Sequence, residues 1–211
     1  MTEAPPRRAD GQETHEQILD AAMRLASVEG LGSLTIGRLA REVGLSKSGL
    51  FAHFRSKERL QRDTIKAAGA VFQREVLDPA RAAPEGLRRL ESMCEAYLSY
   101  IERGVFPGGC FFAHLLAEFD APSGPIHDEM VEIQRGWMTL LEGEIDTARR
   151  QGELHPETDA AQLAFELYAP LELANYLATL HRDPGIVDRA RVAIRTALAT
   201  STKGTGHDAD E

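Results

Sequence analysis

Apolar side chains recur three and four residues apart along nearly the whole chain, and no stretch alternates apolar and polar residues with the period of a strand. The pattern therefore predicts an all-α fold of about nine helices. Ile18, Ala21, Ala22, Leu25 and Val28 make the inward stripe of a first helix. Thr14-His-Glu-Gln17 reads as its capping box and Gly30 as its stop. Two short helices follow over residues 35–55, then a fourth over 57–77, begun by Ser56, with Ile65, Ala68, Phe72 and Val76 inward and Pro79 and Pro84 behind it. A fifth, over 85–103, carries Leu87, Leu90, Met93, Cys94, Tyr97, Leu98 and Ile101. The breaker Gly104-Val-Phe-Pro-Gly-Gly109 leads to a short helix over 110–119, and a loop over 120–125 to a long one over 126–151. The last two helices, over 158–181 and 184–200, are apolar on more than one stripe, and Pro170 interrupts the first of them. Residues 1–11 and 203–211 are polar and read as disordered tails.

The two short helices have sharper local signals. Thr35 can cap the first, on which Ile36, Leu39, Ala40 and Val43 share a face. Gly44 suits a left-handed stop, Leu45 is expected to plug the corner, and Ser46 supplies the second N-cap. Leu50 and Phe54 lie four apart on the second helix, and small Ala40 allows close approach of the pair. With the first helix this makes a three-helix core and a helix-turn-helix, whose second helix is shaped to enter the DNA major groove.

Charge strengthens that reading. Residues 35–59 hold six basic side chains against two acidic ones, whereas the whole chain carries a net charge of −9. A basic island in an acidic protein is the footprint of a phosphate-binding face. Lys47, Ser48 and Gly49 are placed to face base edges, with Gly49 permitting close approach. Thr35, Arg38, Ser46, His53 and Lys57 are the candidate phosphate contacts, Lys57 standing in the first turn of the fourth helix. Arg7 and Arg8 belong to the tail, where a basic arm can reach the minor groove.

The stretch Leu39-Ala40-Arg41-Glu42-Val43-Gly44-Leu45-Ser46-Lys47, with Leu50-Phe51-Ala52-His53-Phe54 and Ser56-Lys57-Glu58, resembles the N-terminal DNA-binding domain of the tetracycline-repressor (TetR) family of bacterial transcription regulators. The resemblance covers residues 13 to about 60; beyond them it rests on length and helical pattern. It implies a DNA-binding domain over 12–58, a ligand-binding and dimerisation bundle over 59–202, and a homodimer formed by the last two long helices. The family usually has tyrosine where this chain has Phe51, and that hydroxyl commonly bonds a phosphate, so some loss of affinity is expected.

The second domain carries no sharp motif. Its last two helices must bury a second face, which a two-fold four-helix bundle does, and dimerisation would set two recognition helices about 34–36 Å apart on a palindromic operator. A cavity among helices five to eight is expected to take a medium-sized, largely apolar or aromatic effector. Phe106, Cys110, Phe111, His114, Glu118, Trp137, Tyr168, Asn175 and Tyr176 are its candidate lining. His114 and Glu118 have the spacing of two metal ligands but no third, so no metal and no cofactor is expected. The neighbours of Cys110 give no basis for a lowered thiol pKa.

Two cysteines make no disulfide framework and suit a reducing compartment; the chain has no transmembrane-length apolar run and its N-terminus no secretory pattern, so a cytoplasmic protein is expected. There is no nucleophile elbow, His-Glu-x-x-His or phosphate loop, so no catalytic residue is assigned. The reading that results is a ligand-responsive regulator, a repressor released from its operator by the effector. An activator, or a dimeric small-molecule-binding protein without a DNA role, is the alternative.

Overall fold

The computed structural model describes residues 8–118 and 124–202. Among these, helices account for the regular structure, apart from one isolated antiparallel bridge between Leu154 and Thr202. α1 spans Arg8–Glu29, α2 Ile36–Glu42 and α3 Lys47–Phe54. α4 spans Lys57–Phe72, α5 Leu87–Glu102 and α6 Phe111–Glu118. α7 spans Pro125–Arg150, α8 Ala160–His181 and α9 Gly185–Ser201.

The helix-turn-helix forms by local bonds. The Thr35 hydroxyl accepts the Arg38 N–H at 3.1 Å, the Ser46 hydroxyl that of Gly49 at 3.0 Å, and the Ser56 hydroxyl that of Arg59 at 3.0 Å. Each satisfies a donor that the first turn of a helix leaves without a partner. Gly44 takes a φ of 68°, which costs a residue with a Cβ more than it costs glycine. Leu34, Leu39, Ala40, Leu50 and Phe54 are buried against Ile18, Ala22 and Ala26 of α1, and Ile36 and Val43 are half-buried.

Three local expectations fail here. α1 begins at Arg8, so Thr14 lies inside the helix rather than at its cap, and residues 8–11 are helical; the run after Pro6 holds no proline to stop it. Val28 is 56% exposed, because the end of α1 buries Ala26, Ser27 and Gly30 instead and Val28 lies off that face. Leu45 is 37% exposed, and the corner it was expected to fill is closed by its own N–H on the Ala40 carbonyl at 2.9 Å. The tails at 1–7 and 203–211, with Arg7, and most of the 120–125 loop lie outside the described residues.

α4 outruns its expected end. A π-helical turn, Gln73–Leu77, and a last α-turn, Asp78–Arg81, continue it, with Pro79 in that last turn. The wider turn relieves the missing N–H and the ring clash that proline imposes on an α-helix. α5, α7, α8 and α9 pack together as the second domain, with α8 against both α7 and α9, while α1 packs on α4 and α6. α8 is capped by Asp159, whose carboxylate accepts the Ala161 and Gln162 N–H groups, and it runs on through Pro170. No helix of the described residues is long and apolar enough to cross a membrane.

Candidate functional site

α3 lies at the surface with Lys47 and Ser48 exposed and Gly49 half-buried in its first turn. The Lys47 side chain passes over Gly37 of α2, where a Cβ would stand 3.2 Å from its Cε. Phe51 is 54% exposed, an apolar ring on the face that the basic island surrounds. Thr35 and Ser46 spend their hydroxyls on capping, and the Ser46 hydroxyl also lies 3.1 Å from that of Ser48. The Arg38 guanidinium is clasped by Glu29 and Glu42, each at 2.8 Å, so a phosphate must compete with two carboxylates. The His53 ring stands 5.8 Å from that of His15, which stacks on Phe54 at 5.0 Å. The Lys57 ammonium donates to the Gly32 carbonyl.

That last bond belongs to a junction between the two halves of the molecule. The Glu118 carboxylate of α6 accepts the N–H groups of Leu31 and Gly32 at 2.7 and 2.6 Å. The carbonyls of the same two residues take Gln61, at 3.0 Å, and Lys57 of α4. Three successive peptide units of the α1–α2 loop, from Gly30 to Ser33, are thus held by α4 on one side and α6 on the other. Gly108, in the loop before α6, lies so close to Ser27 of α1 that a Cβ would overlap the Ser27 carbonyl.

α4 and α6 are also walls of a largely apolar cavity of about 560 Å³, which α5, α7 and α8 complete. Phe72, Tyr97, Phe112, Trp137 and Tyr168 line it with Ile65, Met130 and Ile133. Phe72 sits edge-on to Trp137 at 5.4 Å, to Phe112 at 5.9 Å and to Tyr97 at 6.2 Å. Glu172 lines it too, accepting the Tyr97 hydroxyl at 3.2 Å. Burial pushes the Glu172 carboxyl up, against the pull of hydrogen bonds from Tyr168 and Tyr97. Burial likewise raises the Tyr97 hydroxyl. Three buried polar atoms have no hydrogen-bond partner among the described residues, and two of them, Glu129 Oε2 and Trp137 Nε1, belong to lining side chains.

Of the nine residues that the sequence singles out for the ligand, Cys110, Trp137 and Tyr168 line this cavity. Phe106 borders a smaller cleft beside α8 and α9, and Phe111 is fully buried in the core. Asn175 accepts the Cys110 N–H at 2.6 Å, and the Tyr176 hydroxyl donates to the Ala113 carbonyl at 3.3 Å. His114 is half-buried on α6 away from the lining, and Glu118 serves the junction. Among the described residues, no three His, Cys, Asp or Glu side chains are grouped to hold a metal. Glu172, Tyr97, Phe72 and Phe112 escaped selection: Tyr97 and Phe72 read as core, while Glu172, one of two carboxylates with Glu166 in the apolar run of α8, was the available signal.

Burial lifts the Cys110 thiol to about 11 and the Cys94 thiol to about 12, so both stay protonated near neutrality. Native protein at pH 8 is expected to react with a disulfide reagent at least about tenfold more slowly than protein unfolded in guanidinium, because the thiolate is the nucleophile. Equal rates, followed by release of the coloured thiol, would place a reactive cysteine at the surface.

The comparisons agree with this architecture. Residues 18–63 match the model of bacterial regulatory proteins of the tetR family, and residues 86–194 that of the tetracyclin repressor-like C-terminal domain. A 53-residue stretch is 36% identical to the HTH-type transcriptional regulator AcrR of Shigella flexneri and spans only a quarter of each chain. The HTH-type transcriptional repressor BepR of Brucella suis is 26% identical over 164 residues, covering 77% of this chain and 78% of that protein. A TetR transcriptional regulator from Chloroflexus aurantiacus superposes with a TM-score of 0.84 over 92% of this chain and 98% of that one, at 24% identity. The second of the two family models alone covers more than half of the sequence, and the chain belongs to the TetR family of bacterial transcriptional regulators.

Proposed function

We propose that this regulator is a homodimeric repressor that binds a palindromic operator through α3 and releases it when an effector fills the 560 Å³ cavity. The observation that carries the reading is the shared use of α4 and α6, which line the cavity and also hold the Leu31–Gly32 peptides of the DNA-binding domain. An occupant that moves either wall moves the recognition helix. The effector shifts the equilibrium only by its difference in affinity between the two arrangements. Dimerisation is supported by apolar side chains left outside on the last two helices, above all Phe165, 62% exposed, and Leu180, 74% exposed.

Lys47 and Ser48 read base edges, and Thr35, Arg38, Ser46, His53 and Lys57 hold phosphates or the helices that present them. Selecting bound sequences from a random duplex pool with purified protein is the first test, and a two-fold symmetric site is the expected product. On that site Lys47→Ala is expected to weaken binding about ten- to a hundredfold, the worth of one good base contact. Phe51→Tyr restores the phosphate donor common in the family and should tighten binding about two- to tenfold, as one hydrogen bond does. A Lys47→Ala protein with unchanged affinity would remove α3 from the groove.

A further inference from the structure

We propose that the ligand of the cavity is a lipophilic organic cation, its charge seated between the Glu172 carboxylate and the faces of Tyr97 and Trp137. This rests on the reading of the cavity as an effector site and goes beyond it by naming the chemical class.

The argument is one of charge placement. Every cationic side chain that lines the cavity lies on α4: Arg59, Arg62 and Lys66. Arg59 is paired with Asp63 at 2.7 Å, Arg62 with Glu58 at 3.2 Å and with Glu129 at 3.7 Å, and Lys66 is exposed. The lining contributed by α5 to α8 holds two carboxylates, Glu129 and Glu172, and no Lys, Arg or His. Glu172 has tyrosine hydroxyls for partners, with Tyr97 at 3.2 Å. Hydroxyls share a carboxylate's charge but do not neutralise it, and a half-buried carboxylate without a counter-ion favours an occupant that brings one.

The walls around it suit such an occupant. Tyr97 and Trp137 stack at 6.1 Å, and the Phe72 ring stands steeply inclined to both. Aromatic faces attract a cation through their negative quadrupole, most strongly where water is excluded, and their apolar area accepts the hydrophobic body that carries it. An anionic occupant would meet Glu172 with nothing to offset the repulsion, since the α4 cations already have carboxylate partners or lie at the rim.

The test uses the full-length dimer and three probes. Tetraphenylphosphonium and tetraphenylborate have one shape and opposite charge, and N-phenyl-1-naphthylamine is a neutral aromatic. Trp137 is the single tryptophan of the chain and lines the cavity, so its fluorescence reports occupancy. The phosphonium is expected to bind at least about tenfold more tightly than the borate, and Glu172→Gln to weaken it about tenfold, in line with loss of a desolvated charge partner. The same variant should bind the naphthylamine within about twofold of the parent, which shows an intact cavity because that probe makes no ionic contact. Borate binding as tightly as phosphonium, or phosphonium binding indifferent to Glu172→Gln, overturns the proposal. Naphthylamine binding without phosphonium binding leaves the effector site standing and removes the cation. Failure of all three probes removes both.

Discussion

Placing aspartate at both Phe165 and Leu180 is expected to convert the protein to a monomer and to weaken operator binding more than about a hundredfold. Both side chains lie on α8, largely exposed, with Leu173 and Tyr176 of the same helix and Val192 of α9. An isolated exposed leucine needs no explanation, but five large apolar groups on two adjacent helices do. Covering a leucine or phenylalanine side chain fully is worth about 1.5–3 kcal/mol, and a two-fold interface counts each residue twice. An aspartate there is buried four times over without a partner and opposes the assembly by a comparable amount per site. Since each protomer carries one α3, a monomer reads one half-site and loses the gain from two linked contacts. Sedimentation velocity and operator titration at one salt concentration check both parts. A variant that stays dimeric would place the interface elsewhere; a monomer with undiminished affinity would deny that the operator is read by two copies.

The second large effect is expected at the junction. Gly108→Ala puts a methyl group where the Ser27 carbonyl stands, a backbone atom that cannot rotate away. Either the loop before α6 or the end of α1 must shift, and forced overpacking of this kind costs about 1–3 kcal/mol. For a chain of this size the thermal midpoint should fall by roughly 2–12 °C. Glu118→Ala acts on the same contact from the other side, stranding the N–H groups of Leu31, which is buried, and Gly32, which water can reach. A charged hydrogen bond to a buried donor is worth about 1.5–3 kcal/mol, so a similar loss of stability is expected. Operator affinity separates a packing defect from a coupling element. Both variants loosen the grip of α6 on the DNA-binding domain, and both should change operator affinity by more than about threefold while leaving Lys47 and the rest of α3 untouched. Lower stability with unchanged operator affinity would make the junction a structural joint only.

Features closed within a few residues were legible from residue type and spacing alone. The caps at Thr35, Ser46 and Ser56, the turn at Gly44 and the apolar faces of α2 and α3 are bonds and contacts between near neighbours, so type and spacing suffice to read them. The doubly apolar character of α8 was legible for the same reason, and its exposed residues answer to it. Contacts between partners far apart in the chain came into view only with the packed fold. Glu118 meets Leu31 across 87 positions and Asn175 meets Cys110 across 65. A candidate ligand contact became part of the domain junction, and another the support of a loop. Val28, apolar and at helical spacing, was left more than half exposed, because periodicity says which face of a helix is apolar but not which face its neighbour covers, and the loop at Gly108 packs on Ser27 instead. A cavity among α5 to α8 was foreseeable, but its wall on α4 and most of its lining were not, since a tyrosine or phenylalanine on an apolar stripe reads as core until the opposite wall fails to close on it.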